Sequence, residues 1–167
     1  MRRQASGGYW LWGTAIFAIA GAVILLDRVT KLVVLRYMVP AQSFPIIDNI
    51  FHLTYVRNSG AAFGLLPGMQ PLFFVTTGVV IGFILLYWLH VRPTDPLLVI
   101  GLGLELGGAI GNLIDRMAWG SVIDFLDFRF WPVFNFADCS VFIGLFVLLL
   151  AAVRQSRRDA ERREEAA

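Results

Sequence analysis

The residues best suited to chemistry lie in one stretch, 107–140, where polar and acidic side chains interrupt an otherwise apolar chain. The stretch contains Asn112, Asp115, Arg116, Asp124, Asp127, Arg129, Asn135 and Asp138. By contrast, the flanking segments 97–106 and 141–153 carry Glu105 as their single charge. Ionisable groups at membrane depth are costly and are tolerated when they pair or face water, so this pattern marks the stretch as a functional candidate.

Two aspartates from this stretch could support hydrolysis of a peptide bond. Two carboxylates held side by side cannot easily both ionise, so one keeps a proton while the other acts as a base. Such a pair activates a water molecule against a carbonyl and then protonates the departing amine. Asp124 follows one apolar run and Asp138 begins the next, so neighbouring helices could bring them together. Spacing alone does not choose this pair over Asp115 or Asp127, and the alternative that these acids are interfacial charges paired with nearby arginines stays open.

The elements that must position these residues are those of an integral membrane protein. Of the 167 residues, 57% are hydrophobic and 16% are charged, whereas soluble domains carry about 25% charged residues. Four apolar runs, at about 9–26, 71–89, 96–114 and 134–153, are each long enough for a helix that crosses a hydrocarbon core of about 30 Å. A cleaved signal peptide is the less favoured interpretation of the first run, which exceeds the usual core of about 7 to 15 residues. We therefore predict one all-α membrane domain, 1–167, with four transmembrane helices.

The arginine distribution predicts the orientation of the chain. An even number of spans puts both termini on one side, and Arg2, Arg3 and the basic tail 154–167 all fall there. Since cytoplasmic segments are enriched in Lys and Arg, this side is predicted to be cytoplasmic. The outer loop, 28–70, and the acidic residues then lie at the opposite face. The net charge of +2 and the basic tail favour membrane lipids as partners, and not nucleic acid.

The outer loop is predicted to hold a short helix and a small sheet. Residues 29–38 mix apolar and basic side chains, which is typical of an interfacial amphipathic helix. Residues 51–57 alternate apolar and polar side chains and indicate a strand, which a turn at 58–60 follows. The apolar segment 61–66 is expected to contribute an apolar face that rests on the bilayer or on a lipid-bearing ligand.

Two further charged positions have structural interpretations. Asp27 and Lys31 end the first run at a spacing of four, which places them on one helical face as an ion pair. A salt bridge that only fixes the depth of the helix explains this pair equally well. Glu105 lies two turns before Asn112 on the same face, so we expect it to point into the helix bundle.

Five blocks of the sequence resemble those of the lipoprotein signal peptidases, also called signal peptidase II. These are bacterial inner-membrane aspartic proteases that remove the signal peptides of prolipoproteins, cutting just before a diacylglyceryl-modified cysteine. The blocks are Asp27 with Lys31, 58–63, 107–116, 122–125 and 134–140. The last three, in this order and at this spacing, are very specific.

The resemblance implies roles for individual residues. It implies that Asp124 and Asp138 form a catalytic dyad that activates a water molecule. It also implies that Asn58, Gly60, Asn112, Arg116 and Asn135 line the substrate site, and that Asp27, Lys31 and Asp115 support it. Glu105 departs from the family, in which we expect an uncharged residue at that position.

The resemblance further implies the setting of the reaction. The outer loop is expected to form an extracytoplasmic β-cradle beside the site, and the active site to lie near the outer leaflet of the bacterial inner membrane. The expected partners are the diacylglyceryl-modified prolipoprotein and membrane lipids, with no obligate protein partner. Neither a cofactor nor a metal ion is expected.

Two other functions fit parts of the sequence. A proton-coupled small-molecule transporter could use an intramembrane acid such as Glu105, but it would need its acids near the middle of the bilayer, whereas here they cluster at one interface. A non-enzymatic membrane scaffold would explain the glycines of the third run and the charged tail, but not the Asn and Asp blocks. An aspartic endopeptidase is therefore the function that the sequence predicts.

Single cysteines introduced by Ser43→Cys or Ser156→Cys in a Cys139→Ala background test the predicted orientation. A membrane-impermeant thiol reagent added to intact cells is expected to label position 43 and not position 156, because the arginines place the tail in the cytoplasm. Labelling at 156 without labelling at 43 would contradict this orientation.

Overall fold

The computed structural model describes residues 6–60 and 69–165, with side chains described from residue 11. Within these ranges the chain is mostly helical, with a small antiparallel sheet. The elements in chain order are α1 (Ser6–Tyr37), β1 (Ser43–Ile47), β2 (Phe51–Asn58), α2 (Gln70–Val91), α3 (Pro96–Trp119), β3 (Val122–Asp127) and α4 (Phe136–Glu165).

Three helices in the described part of the chain, α2, α3 and α4, are long and apolar enough to cross a membrane. They coincide with the predicted runs 71–89, 96–114 and 134–153. The first predicted run, 9–26, falls within α1, and its first two side chains lie outside the described residues. Beyond residue 153, α4 continues as a helix whose side chains are exposed through the charged tail.

Helix α3 runs past the end of its apolar stretch because both of its ends are well capped. The side chain of Asp95 accepts hydrogen bonds from backbone N–H groups of the first turn. The helix ends at Gly120, whose φ of 67° is a left-handed conformation that glycine adopts without strain. As a result Asn112, Asp115 and Arg116 all lie on α3 and not in the loop that follows it.

Glycines let α3 approach its neighbours closely. A Cβ atom at Gly107 would lie 2.9 Å from the carbonyl oxygen of Ala20 in α1, and one at Gly108 would lie 2.5 Å from that of Ala137 in α4. Small residues serve this purpose in membrane helix pairs. The contacts fix the position of α3 relative to both helices, and so the position of the polar residues it carries.

The sheet has the order β1-β2-β3 and is antiparallel throughout. Strand β3 follows α3 and pairs with β2 so that Asp124 lies opposite Val56. The sheet packs against the last turns of α1 through a small core made of Val34, Tyr55, Ile123 and Phe125. This packing holds the sheet beside the ends of the helices.

Some predictions for the outer loop were confirmed and others were wrong. The strand at 51–57 is present as β2, but residues 29–38 do not form a separate interfacial helix, because α1 continues unbroken to Tyr37. Its inward face continues through the buried side chains of Lys31 and Val34, so nothing breaks the helix there. Strand β3 was not predicted, and Asp124 lies on it instead of in a loop. The predicted apolar segment 61–66 lies outside the described residues.

Gly108→Ala is expected to lower the thermal stability of the protein. The added methyl group would lie 2.5 Å from a backbone oxygen of α4, so the two helices must separate, at a cost of about 1–3 kcal/mol. Gly78→Ala in α2 is the matched control, because no atom of another described element lies within 4 Å of its Cβ position and alanine is the better helix former. Thermal unfolding in detergent compares the two, and equal melting temperatures would contradict the packing described.

Candidate active site

Four charges join α1 to α3 in one cluster, in which Asp27, Lys31 and Asp115 are buried and Arg28 is partly exposed. The Nζ atom of Lys31 lies 2.9 Å from Asp27 Oδ1 and 2.7 Å from Asp115 Oδ2. The Nη2 atom of Arg28 lies 2.7 Å from Asp27 Oδ2 and 2.7 Å from Asp115 Oδ1. Buried charges are tolerated when each is paired and hydrogen-bonded, and here two cations balance two carboxylates. The predicted ion pair of Asp27 with Lys31 is therefore confirmed as part of a larger cluster.

The two carboxylates of this cluster also hold the backbone next to the candidate acids. Asp115 Oδ2 accepts a hydrogen bond of 3.1 Å from the backbone N–H of Ile123, the residue before Asp124. Asp27 Oδ1 accepts one of 3.2 Å from the backbone N–H of Ala137, the residue before Asp138. The cluster thus holds the backbone immediately before each of the two acids.

Asp138 lies in the first turn of α4, where it forms a reciprocal cap with Asn135. Asn135 Oδ1 accepts a hydrogen bond of 2.9 Å from the backbone N–H of Asp138, and Asp138 Oδ2 accepts one of 3.2 Å from the backbone N–H of Asn135. This is the geometry of a capping box. The other oxygen, Asp138 Oδ1, accepts a 2.7 Å hydrogen bond from Asn112 Nδ2. The positive end of the helix dipole favours a carboxylate at this position.

Asp124 is held in β3 by two further amides. Its Oδ1 accepts a 2.7 Å hydrogen bond from Asn135 Nδ2, and its Oδ2 accepts a 3.0 Å hydrogen bond from Asn58 Nδ2. Burial, and then the negative charge of Asp138, raise the pKa of Asp124 to about 7, against the opposing effect of the hydrogen bonds from Asn58 and Asn135. The Asn135 side chain therefore contacts both acids, and each of their four oxygens has an N–H donor.

Asp124 and Asp138 line one cavity of about 650 Å³. Of the residues assigned to the substrate site by resemblance, Asn58, Gly60 and Arg116 also line it. Most of the remaining wall is apolar and includes Phe128, Phe130, Trp131, Phe134, Val141 and Phe142. The cavity thus offers two acids at a polar end and an extended apolar surface.

Asn112 and Asn135 lie behind the acids and not on the cavity wall. Asn135 is fully buried and Asn112 is 9% exposed. Their side-chain amides form hydrogen bonds with the two acids and with each other. The structure therefore places these two residues as supports of the acids. Arg116 is on the cavity wall, with its guanidinium 5.0 Å from the centre of the Phe73 ring.

The other two aspartates of the stretch have different surroundings. Asp115 belongs to the buried cluster of charges. Asp127 accepts hydrogen bonds from Thr54 at 2.7 Å and from the backbone and side chain of Arg129 at 2.8 and 3.0 Å. Burial alone would raise the pKa of Asp127, but these hydrogen bonds and the Arg129 charge lower it overall. The interpretation as a carboxylate paired with arginine therefore fits Asp127 and not Asp124 or Asp138.

Arg28 was not predicted as a site residue, although it completes the cluster of charges. The signal that could have found it is charge balance, because Asp27 and Asp115 together require a second cation beside Lys31.

Glu105 is half-buried and packs against Gly144 of α4, as expected for a residue that points into the bundle. It is not among the residues that line the cavity.

The chain is similar to known proteins over most of its length. The family profile described as signal peptidase (SPase) II matches residues 19–154. The lipoprotein signal peptidase of Halothermothrix orenii is 50% identical over 142 residues, which cover 85% of this chain and 97% of that protein. The lipoprotein signal peptidase of Pelotomaculum thermopropionicum is 44% identical over 147 residues, covering 88% of this chain and 97% of the relative.

A solved structure has the same fold. It is described as a bacterial membrane enzyme determined by the in meso method at 2.3 Å resolution. It superimposes with a TM-score of 0.80 at 32% sequence identity, covering 86% of this chain and 90% of that one. Since the profile and the relatives each span most of the sequence, this chain belongs to the signal peptidase II family.

Proposed function

We propose that this protein is a membrane aspartic endopeptidase that removes the signal peptides of prolipoproteins by cutting before the diacylglyceryl-modified cysteine. The observation that carries the proposal is the pair Asp124 and Asp138, which share Asn135 as a hydrogen-bonding partner and line the same cavity. The substrate class is supported by the family and by relatives described as lipoprotein signal peptidases.

The surroundings of the two acids support different roles for them in the proposed reaction. Asp138 acts as the base, because the N-terminus of α4 favours its carboxylate form. Asp124 keeps the shared proton, in line with its raised pKa. Asp138 takes a proton from water as the water oxygen attacks the peptide carbonyl carbon, while the proton on Asp124 stabilises the carbonyl oxygen. Asp138 then returns its proton to the amine as the C–N bond breaks. Both protons are carried by the acids, so these steps need no cofactor.

The cavity wall supplies groups for the lipidated substrate. Arg116 is placed to bind backbone carbonyls or the lipid ester, and Asn58 and Gly60 lie near the acids. Phe130 is 81% exposed and Trp131 is 53% exposed, so they offer apolar surface to an acyl chain. Each buried methylene contributes about 0.8 kcal/mol, which makes an acyl chain a strong handle for selecting one substrate among many secreted precursors.

The proposed placement in the membrane follows from the same features. In this arrangement α1 is the fourth transmembrane helix, the chain is one domain, 1–167, and the site lies near the outer leaflet. The exposed arginines at the far end of α4 support a cytoplasmic tail. The membrane and the lipidated precursor are the proposed partners, without an obligate protein partner.

Asp124→Asn and Asp138→Asn are each expected to abolish cleavage, because Asp138 carries the proton from water to the amine and Asp124 supplies the proton that stabilises the carbonyl oxygen. Asp127→Asn is the control and keeps substantial activity, since that carboxylate is engaged by Thr54 and Arg129. The double substitution of Asp124 and Asp138 should be scarcely worse than either single one. Purified variants with native-like thermal unfolding would be assayed on a lipidated precursor. Robust cleavage by either single variant would overturn the assignment.

The rate of cleavage is expected to fall as pH rises through about 7, where Asp124 loses the shared proton. Asn58→Ala removes a hydrogen bond that favours the ionised form of Asp124, so its pKa rises further and the fall in rate moves to higher pH. The measurement is kcat/KM against pH for both proteins, which reports groups of the free enzyme. A fall in rate that stays in place or moves to lower pH in Asn58→Ala would contradict the role of Asp124.

The substrate is expected to require its diacylglyceryl group. Purified protein in detergent or lipid would be given matched precursors, one lipidated and one with an unmodified cysteine. The unmodified precursor should lose turnover as well as affinity, because the lipid positions the scissile bond at the dyad. Equal cleavage rates would rule out the lipid as the recognition group.

A further inference from the structure

We propose that Lys31 is a positioning residue that orients the amide of Asn112 and thereby presents an N–H donor to Asp138. This inference rests on the proposed function and deepens it, because it names a residue behind the dyad that acts on Asp138 through the amide of Asn112. It is carried by the contacts of a single buried ammonium group.

The Nζ atom of Lys31 lies within hydrogen-bonding distance of three oxygens. These are Asp27 Oδ1 at 2.9 Å, Asp115 Oδ2 at 2.7 Å and Asn112 Oδ1 at 3.1 Å. A lysine ammonium has three N–H donors and no acceptor. The two aspartate contacts are ion pairs and the contact with Asn112 is a hydrogen bond. Because the ammonium cannot accept, the atom of Asn112 that faces Lys31 must be the carbonyl oxygen.

This orientation determines which atom of the Asn112 amide faces Asp138. With its oxygen toward Lys31, Asn112 turns Nδ2 toward Asp138 Oδ1 at 2.7 Å. A flipped amide would set two acceptors against each other at this distance and would turn its NH₂ group toward the ammonium. Asn135 Nδ2 supports the observed orientation with a hydrogen bond of 3.1 Å to Asn112 Oδ1. Lys31 thus stabilises the ionised form of Asp138 through Asn112.

Arg28 provides an internal comparison, because it belongs to the same cluster without reaching Asn112. Its guanidinium contacts Asp27, Asp115 and the carbonyl oxygen of Gly111. The charged or titratable groups around Asp138 are Asp27 and Lys31 of α1, Asp115 and Arg116 of α3, Asp124 of β3 and Cys139 of α4. A test must therefore remove Lys31 while keeping the cluster neutral.

Two double variants keep the cluster neutral and differ only in the cation that is lost; the first removes Lys31 and the second, as the control, removes Arg28. Lys31→Met with Asp115→Asn, and Arg28→Met with Asp115→Asn, each remove one positive and one negative charge. The measurement is the acid limb of the pH profile of kcat/KM, which reports ionisation of the base. In the Lys31 variant this limb is expected to move up by about one pH unit, the size expected when one hydrogen bond to a carboxylate is lost. In the Arg28 variant it should keep its wild-type position.

Asn112→Leu gives an independent test that leaves all four charges of the cluster in place. It removes the amide that Lys31 orients, so the acid limb should move up as in the Lys31 variant, and an unmoved limb counts against the inference even if that double variant does not fold. An unmoved limb in Asn112→Leu, or equal limbs in the two double variants, would overturn the inference while cleavage itself continued. Absence of cleavage by the wild-type protein would instead count against the proposed function.

Discussion

The neutral cluster of Asp27, Arg28, Lys31 and Asp115 is the constraint on which the rest of the site depends. Removing charges from water is costly unless they are paired, and losing one partner of a buried pair typically costs about 3–5 kcal/mol. Both carboxylates of the cluster also accept hydrogen bonds from the backbone next to Asp124 and Asp138. The positions of the two acids are therefore tied to the charge balance between α1 and α3, and not to the conformation of a loop.

Three asparagines, and not the cations of this cluster, donate side-chain hydrogen bonds to the carboxyl groups of the two acids. Asn58, Asn112 and Asn135 supply neutral side-chain N–H donors to the acids, whereas the cations Arg28 and Lys31 stay one step behind them. A cation in direct contact would favour ionisation of either acid, and the proton that a dyad must share would be lost. The amides hold the carboxyl groups in place while leaving them able to exchange a proton.

The sequence was sufficient for the parts of the fold that depend on local pattern. The long apolar runs located α2, α3 and α4, and the alternation at 51–57 located β2. Strand β3 was not predicted, because nearly all of its residues are buried and its sequence lacks the alternation of a half-exposed strand. The continuation of α1 to Tyr37 was also not predicted, because it depends on contacts of Lys31 and Val34 with residues that are distant in sequence.

The candidate site was predictable in its residues but not in its arrangement. Spacing could not separate Asp124 and Asp138 from Asp115 and Asp127, and only the resemblance of the blocks chose between them. The reason is tertiary, since the ion pairs of Asp115 and the hydrogen bonds that Asp127 receives from Thr54 arise from other elements. The same holds for Arg28, whose pairing with Asp115 brings α1 and α3 together.

The central claim is that Asp124 and Asp138 share one proton, and infrared difference spectroscopy of the carboxyl stretch tests it most directly. The measurement would use a Glu105→Gln background, which removes the half-buried acid of α3. We predict one protonated carboxyl that ionises near pH 7, well above the ordinary aspartate value of about 3.9, and that is missing from Asp124→Asn. A spectrum with no such carboxyl between pH 5 and 7, or one that persists unchanged in Asp124→Asn, would contradict the account.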